Sequence, residues 1–210
     1  MLGLDVACLW CRINSNTQTK IAVSKYIRST MGSFMMKLYM TLKKKIFVGN
    51  NVSTGFNFHI GLLSWISCAS KLSIGNDVYV GKFCTIQCNG VIGDGTLIAN
   101  NVGIVGRRDH NFRQIGKLVR HSDWIGSCQY LSDDNKNWID IGPDVWIGYG
   151  AILVSGIKVG RGAIISAGSV VIHDILPYDI VAGNPAKRIG RRFSDRDIVE
   201  HERLLTKICI

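Results

Sequence analysis

Aliphatic residues return every six positions through residues 141–171 of the chain. Neither an α-helix nor a simple β-strand has a six-residue period, so this spacing indicates a repeat protein. A second ladder of mostly small or branched residues follows four positions later. The aliphatic ladder consists of Ile141, Ile147, Leu153, Val159, Ile165 and Val171. The second ladder consists of Val145, Ala151, Ile157, Ala163, Ser169 and Ile175.

The same period extends over most of the chain, with one long interruption. It begins near Val48, slips by two residues after Ile66 and is then regular as far as Ile104. Between residues 105 and 138 it disappears into a polar, charged stretch, and it resumes in the aliphatic ladder. We therefore predict a solenoid over residues 46–190 with an extruded loop, and long loops of this kind are usually functional.

The short period also predicts how each coil is built. Each hexapeptide can supply one short strand and one corner, because glycine, asparagine and aspartate tolerate the backbone angles of a tight corner. Three such strands close a triangular coil of about 18 residues, and successive coils stack like residue upon like. The aliphatic ladder then forms a continuous core, so we predict an all-β solenoid.

Helical additions are predicted at both ends of the solenoid. In the N-terminal segment, residues 1–45, helical spacing of apolar residues predicts a short helix over residues 33–45 with a basic side. Docking of this helix on the first coil is the favoured interpretation, and a helix lying on a membrane surface is the alternative. In the C-terminal segment, residues 191–210, Ser194 is a suitable cap for a helix. We expect that helix to cover the open end of the solenoid.

The net charge and the cysteine content indicate which class of binding partner and which cellular compartment to expect. The formal charge of +10 favours an anionic partner, but the chain has no nucleic-acid motif and nucleic acid is not expected. Seven cysteines are an odd number, which fits a reducing cytoplasm better than secretion. Cys8 and Cys11 form a C-x-x-C without a second pair, and Cys84 falls on the second ladder, as a packed thiol would. No signal peptide or membrane span is recognised.

The motifs VWIG and VAGNPAKRI lie in a region, residues 72–192, that resembles the hexapeptide-repeat acyltransferases. The nearest branch is that of the maltose/galactoside and capsule or O-antigen O-acetyltransferases. The resemblance implies a left-handed parallel β-helix and a homotrimer with active sites between neighbouring prisms. It also implies direct transfer of an acetyl group from acetyl-CoA to a hydroxyl or amine, without a metal or a covalent enzyme intermediate.

The resemblance implies a histidine base at the root of the extruded loop, where this chain has His110. Histidine suits the role because its ordinary pKa is about 6.5, so it can accept a proton from a hydroxyl near neutral pH. Asp109 or a backbone carbonyl could orient the ring. His121, in the same loop, is the rival base. Asn89 is a possible donor to the developing oxyanion, but it is not assigned a role.

The resemblance also places acetyl-CoA on the chain. Tyr149 and Ala167 match positions whose backbone contacts the pantetheine arm, although relatives often have a small residue in place of Tyr149. Lys187 and Arg188 match the basic residues near the phosphates. Two tryptophans remain open in role, since Trp146 and Trp138 could each form a wall of the cleft or pack outside the prism.

These expectations favour an O-acetyltransferase that acts on a sugar hydroxyl in surface polysaccharide synthesis, in the cytoplasm or at the inner face of the membrane. N-acetylation of a nucleotide-linked amino sugar, acetylation of a small drug-like acceptor, and a non-catalytic scaffold remain alternatives. A metal-dependent hydratase ranks last, because only His110 and His121 lie near each other in the sequence and such a site needs three histidines.

Overall fold

The structure is a computed structural model that describes residue 42 and residues 44–107, 110–124 and 138–208. The chain divides into two compact units, residues 1–43 and residues 44–210. Most of the helix predicted over residues 33–45, together with Cys8 and Cys11, lies outside the described residues. Leu42 and residues 44–47 are helical.

Short strands in the second unit stack into three sheets, which we call faces 1, 2 and 3. Face 1 contains β1 (Val52–Thr54), β4 (Leu72–Ile74), β7 (Asn89–Ile92), β10 (Trp138–Ile141) and β13 (Ile157–Val159). Face 2 contains β2 (His59–Ile60), β5 (Tyr79–Val80), β8 (Leu97–Ile98), β11 (Trp146–Ile147), β14 (Ile164–Ile165), β16 (Asp179–Gly183) and β17 (Ala186–Arg191). Face 3 contains β3 (Trp65–Ser67), β6 (Thr85–Gln87), β9 (Gly103–Val105), β12 (Ile152–Val154) and β15 (Val170–Val171).

The chain visits the faces in turn, so three consecutive strands make one coil and neighbouring coils pair in parallel. Within face 1, Leu72 pairs with Gly90 in the next coil, eighteen residues later. Val52 pairs with Leu72 across twenty residues, so the first coil is two residues longer. This difference is the physical origin of the slip in the sequence period. The predicted parallel β-solenoid is confirmed.

The inward-facing ladders form the core. Every residue of the aliphatic ladder from Ile141 to Val171 is at most 2% exposed, and every residue of the second ladder is at most 6% exposed. Cys84 is also buried, as predicted for a packed thiol. Each large aliphatic side chain buried in this way contributes about 1.5–3 kcal/mol to folding, and the stack of coils makes the core continuous.

Glycine after the aliphatic residue allows the corners to stack closely. A Cβ atom added to Gly148 would lie 2.6 Å from the backbone nitrogen of Ala167 in the next coil. At Gly160 the added atom would lie 2.3 Å from the nitrogen of Pro177. Both distances are shorter than real Cβ atoms adopt, so glycine is required where neighbouring corners touch.

The C-terminal helix, α1 (Asp195–Ile208), is confirmed. Ser194 caps it, because the Ser194 hydroxyl accepts a hydrogen bond from the Asp197 backbone N–H at 3.2 Å. The expectation that this helix covers the open end of the solenoid needs correction. The last parallel strand of face 2, β16, is covered by β17, which pairs with it antiparallel.

The helix instead contacts the first corner, where face 1 passes into face 2. Glu202 on the helix binds both Arg161 and the hydroxyl of Tyr178. His201 lies 3.1 Å from Asp144, which also binds Arg192 at 2.7 Å. The helix is therefore held to the corners of three successive coils by one ion pair, from Glu202 to Arg161, and by polar contacts with Tyr178 and Asp144. Within the described residues, no helix is long and apolar enough to cross a membrane.

Candidate active site

The extruded loop leaves the solenoid at the third corner, where face 3 passes into face 1. The strand β9 ends at Val105 and the next strand, β10, begins at Trp138. Val105 pairs with Gln87 on one side and with Val154 on the other. The coils before and after the loop are therefore in direct contact, and the loop is an addition to one corner of a continuous stack.

Arg107 anchors the root of this loop to two later coils. Its backbone N–H donates a hydrogen bond to Ser155 Oγ at 2.9 Å, and its Nε donates to the Ser155 carbonyl at 3.1 Å. Its Nη2 donates to the carbonyl of Ile172 at 2.6 Å. Ser155 is fully buried, so the anchor is attached to the rigid core. Sequence reasoning missed Arg107. The sequence indicates it only as a basic residue directly after the six-residue repeat stops.

His110 lies three residues beyond this anchor. Its backbone forms an antiparallel bridge with Trp124, and the adjacent Asn111 N–H donates to the Asp123 carbonyl at 2.7 Å. The His110 side chain is half-buried, and its Nδ1 atom is shielded from solvent. The loop therefore presents this histidine from a hydrogen-bonded backbone. Asp109, the predicted orienting residue, lies outside the described residues.

The side chains of Gln114 and Asp123 brace the same loop. The Gln114 amide donates to Asp123 Oδ2 at 2.6 Å, and Gln114 Oε1 accepts from the Asp123 backbone N–H at 3.0 Å. Lys117 Nζ lies 3.6 Å from the Asp123 carboxylate. The rival histidine, His121, ends a short 3-10 turn, Val119–His121, and its side chain is exposed.

Tyr149 and Ala167 come together at the second corner, where face 2 passes into face 3. The Tyr149 carbonyl accepts a hydrogen bond from the Gly168 N–H at 2.8 Å, which stacks the two corners directly. The Tyr149 hydroxyl accepts from Asn101 Nδ2 at 2.5 Å. Both Tyr149 and Ala167 are exposed, so they form an accessible ledge along the outside of the corner.

The basic residues of the NPAKRI motif lie on β17 and differ in their environment. Lys187 is exposed and pairs with Ala182, near the end of face 2 that leads to Ala167. Arg188 donates from Nε to Asp179 Oδ1 at 2.9 Å, and Asp179 is 6% exposed. A buried carboxylate needs a partner of opposite charge, so Arg188 has a structural task that Lys187 does not share.

The structure separates the loop of His110 from the ledge of Tyr149 and Ala167. Face 3 lies between the third and second corners. Across β9, the five residue-to-residue steps from Asn101 to Gly106 span ~16 Å at about 3.3 Å per step. The loop root and the ledge are therefore on different corners of one chain.

The two tryptophans lie on different faces. Trp146 projects outward from face 2 and is 49% exposed, in a row with Leu97 and Ile164 of the neighbouring coils. Trp138 projects from face 1, where the loop rejoins the solenoid, and is 37% exposed. Both side chains are on the outside of the prism, and Trp146 is on the face that ends at the ledge.

Asn89, the possible oxyanion donor, begins β7, and its side chain binds the backbone just before β4. Its Oδ1 accepts hydrogen bonds from the backbone N–H groups of Ser70 at 2.9 Å and Lys71 at 3.3 Å. Its side chain is 7% exposed.

Among the described residues, no group of three or more histidine, cysteine, aspartate or glutamate side chains is arranged to hold a metal ion.

Comparison with known proteins places this arrangement in a class. No family model matches the chain. A chloramphenicol acetyltransferase of Escherichia coli is 53% identical over 152 residues, which cover 64% of this chain and 63% of that protein. The solved structure of a galactoside acetyltransferase in complex with coenzyme A is 29% identical, with a TM-score of 0.55 over 75% of this chain and 70% of that one.

A hexapeptide-repeat acetyltransferase of Vibrio cholerae, complexed with acetyl coenzyme A, shares the fold at 20% identity, with a TM-score of 0.53 over 73% of this chain and 76% of that one. The three-faced parallel solenoid with a loop at one corner therefore defines a hexapeptide-repeat β-helix protein. In sequence and in fold, the chain is similar to the hexapeptide-repeat acetyltransferases. It spans less than two thirds of the length of curated relatives that it matches.

Proposed function

We propose that the protein transfers an acetyl group from acetyl-CoA to a hydroxyl of a sugar, with His110 as general base. The observation that carries this proposal is the presentation of His110 from a hydrogen-bonded loop that is anchored to the core through Arg107. A base must be held within hydrogen-bond reach of the proton that it removes, and an anchored loop meets that need better than a solvated one.

In the proposed reaction, the His110 imidazole accepts the proton of the acceptor hydroxyl as the oxygen attacks the thioester carbonyl. A tetrahedral intermediate forms and collapses, which breaks the carbon–sulfur bond. The sulfur leaves as a thiolate and takes up the proton held by the imidazolium, so the products are the acetyl ester and free coenzyme A. General-base assistance of this kind contributes about 10²–10⁴-fold to the rate.

The ledge of Tyr149 and Ala167 is the proposed binding surface for the pantetheine arm. It is exposed, and stacked corners offer backbone groups along an extended ligand. The exposed Lys187, at the same end of face 2, supplies positive charge for the phosphates. Because Arg188 is paired with Asp179, we assign it a smaller part in phosphate binding than Lys187.

The separation of the two corners supports a site shared between copies of the chain, as in the homotrimer implied by the resemblance. Such an assembly would bring the loop of one copy to the ledge of another. The loop has apolar side chains that are exposed in a single chain, since Phe112 is 68% exposed and Ile115 is fully exposed. Face 2 adds an exposed apolar row through Leu97 and Trp146. These surfaces would be covered by neighbouring copies.

A second acceptor class is favoured by one observation. Because the chain is 53% identical to a chloramphenicol acetyltransferase over 152 residues, the hydroxyl of a small drug-like molecule is the alternative acceptor.

We place the reaction in the cytoplasm, since the described cysteines Cys68, Cys84 and Cys88 are free thiols. A role in surface polysaccharide synthesis is part of the proposal for the sugar acceptor.

The test is release of coenzyme A thiol from acetyl-CoA in the presence of a panel of sugars, amino sugars and chloramphenicol. His110→Ala should reduce turnover at least 100-fold, whereas His121→Ala, a matched change in the same loop, should keep it within about threefold. Full activity of His110→Ala would refute the assignment of the base. Absence of coenzyme A binding would instead favour a non-catalytic scaffold, and light scattering would report whether the protein is a trimer.

A further inference from the structure

A pocket of about 380 Å³ opens on the outer side of face 1, beside the third corner. It lies where the chain re-enters the solenoid after the loop, and the fourth and fifth coils supply most of its walls. No part of it coincides with the ledge of Tyr149 and Ala167. Its lining residues are Trp138, Asp140, Gly156, Ile157, Lys158 and Asp174.

The pocket has a row of alternating charges along one side. In β10, Ile139 and Ile141 point into the core, so Trp138 and Asp140 point outward. Asp140 pairs in register with Lys158. A β-bridge joins the residue after Lys158 to the residue after Asp174, so Asp174 lies beside Lys158 in the following coil. Neighbouring strands lie about 4.8 Å apart, so three coils contribute a carboxylate, an amine and a second carboxylate in sequence.

The indole of Trp138 forms the other side of the pocket. The Gly156 N–H donates a hydrogen bond to the Trp138 carbonyl at 2.8 Å, so these two residues are neighbours in adjacent coils. Gly156 has no side chain and adopts a φ of +83°, which favours glycine. The position next to the indole is therefore left without a side chain, and Trp138 remains 37% exposed.

The charged side chains of the pocket are not paired with one another and can still bind a ligand. Asp174 Oδ1 accepts a hydrogen bond from the Lys158 backbone N–H at 2.8 Å, which fixes the carboxylate and leaves its second oxygen available. Within the part of the chain that the structure describes, no ion pair joins the Lys158 amine to either Asp140 or Asp174.

This combination fits a sugar ring better than an anion. The apolar face of an indole can cover the C–H face of a pyranose, carboxylates accept hydrogen bonds from hydroxyls, and an amine donates to them. Two carboxylates against one amine would repel the phosphates of a nucleotide. The volume is within the range of small-molecule sites, about 300–1,000 Å³.

We propose that this pocket is a subsite for one pyranose unit of an oligosaccharide acceptor, beside the loop root and apart from the acetyl-CoA ledge. The inference rests on the proposed function for its role in acceptor choice. Trp138 and Asp140 would then determine specificity by holding a sugar unit that is not itself acetylated.

The experiment measures binding and turnover separately. Saturation-transfer NMR with maltotriose, lactose and chitotriose should show binding to the protein without acetyl-CoA. Trp138→Ala and Asp140→Asn should weaken that binding at least tenfold and raise the oligosaccharide KM by a similar factor, with kcat changed less than about threefold. Trp65→Ala, a matched change at an exposed tryptophan on face 3, should leave both unchanged.

The possible failures are distinguishable. If the enzyme acetylates oligosaccharides and depends on His110, but Trp138→Ala and Asp140→Asn bind and turn over like the parent protein, the subsite is wrong and the proposed function stands. If the oligosaccharides bind through Trp138 but no acetyl transfer occurs with any acceptor, the proposed function is wrong and the sugar site stands. If none of the saccharides binds, the subsite is refuted.

Discussion

Arg107 offers the sharpest test of the catalytic role proposed for the loop. Replacing it with methionine keeps most of the side-chain bulk and removes the donors to the carbonyls of Ser155 and Ile172. The backbone N–H would still donate to Ser155 Oγ. The substitution therefore removes the two side-chain hydrogen bonds of the anchor without directly altering the core.

The expected size of the effect follows from those two bonds. A hydrogen bond to a charged group is worth about 1.5–3 kcal/mol, but the Arg107 side chain is exposed, so we expect about 1–3 kcal/mol in total. Since about 1.4 kcal/mol corresponds to a tenfold change in an equilibrium, the anchored form of the loop should lose a factor of about 5–150. This loss should fall on kcat, because His110 would be presented less often.

The assay is steady-state kinetics with varied acetyl-CoA and acceptor. Arg107→Met should lower kcat about 5–150-fold and keep the acetyl-CoA KM within about threefold, because the proposed ledge is on another corner. Arg107→Lys should recover part of the loss by keeping one cationic donor. Arg113→Met, a matched change of an exposed cation in the same loop, should have little effect. An unchanged kcat in Arg107→Met, or a loss confined to the acetyl-CoA KM, would refute the reasoning.

Three further predictions concern the ledge, the core and the terminal helix. Tyr149→Phe should keep the acetyl-CoA KM within about threefold in the thiol-release assay, because the backbone is the proposed contact; a larger increase would implicate the hydroxyl. Leu153→Ala should lower the free energy of unfolding by about 2–5 kcal/mol in urea, and Ile152→Ala, on the outer side of the same strand, should cost less than half as much. Burial and the hydrogen bond to Glu202 raise the pKa of Tyr178 to about 12, above its ordinary value of 10.0. The stabilisation is therefore complete below about pH 10 and is lost as the pH rises toward 12, so Tyr178→Phe should flatten the pH dependence of the urea midpoint in that window; an unchanged dependence would exclude this role.

The coils could be predicted from the sequence because each one is specified by the same short, local pattern of residues. An inward aliphatic residue every six positions and a small residue near each corner specify the prism without reference to distant parts of the chain. The cap of α1 was equally local, since Ser194 and Asp197 are three residues apart. The slip after Ile66 could be located in the sequence for the same reason.

The anchor of the loop could not be predicted, because its partners are remote in sequence. Ser155 lies 48 residues from Arg107, and Ile172 lies 65 residues away. The pairing of Arg188 with Asp179 depends on an antiparallel strand that interrupts the parallel pattern, so the six-residue period gave no indication of it. Contacts set by the stacking of coils become visible only when the coils are in register.

The direct pairing of the coils on either side of the loop makes folding of the solenoid independent of the loop. Ile92 pairs with Ile141, and Ile104 pairs with Leu153. The stack of coils is therefore continuous, and the loop is an insertion between two paired coils. The entropy of closing a flexible loop rises by only about 0.6 kcal/mol for each doubling of its length. Loops of very different length and composition can therefore be exchanged at this corner with little effect on the scaffold, so selection, or a protein engineer, can change the loop while leaving the core intact.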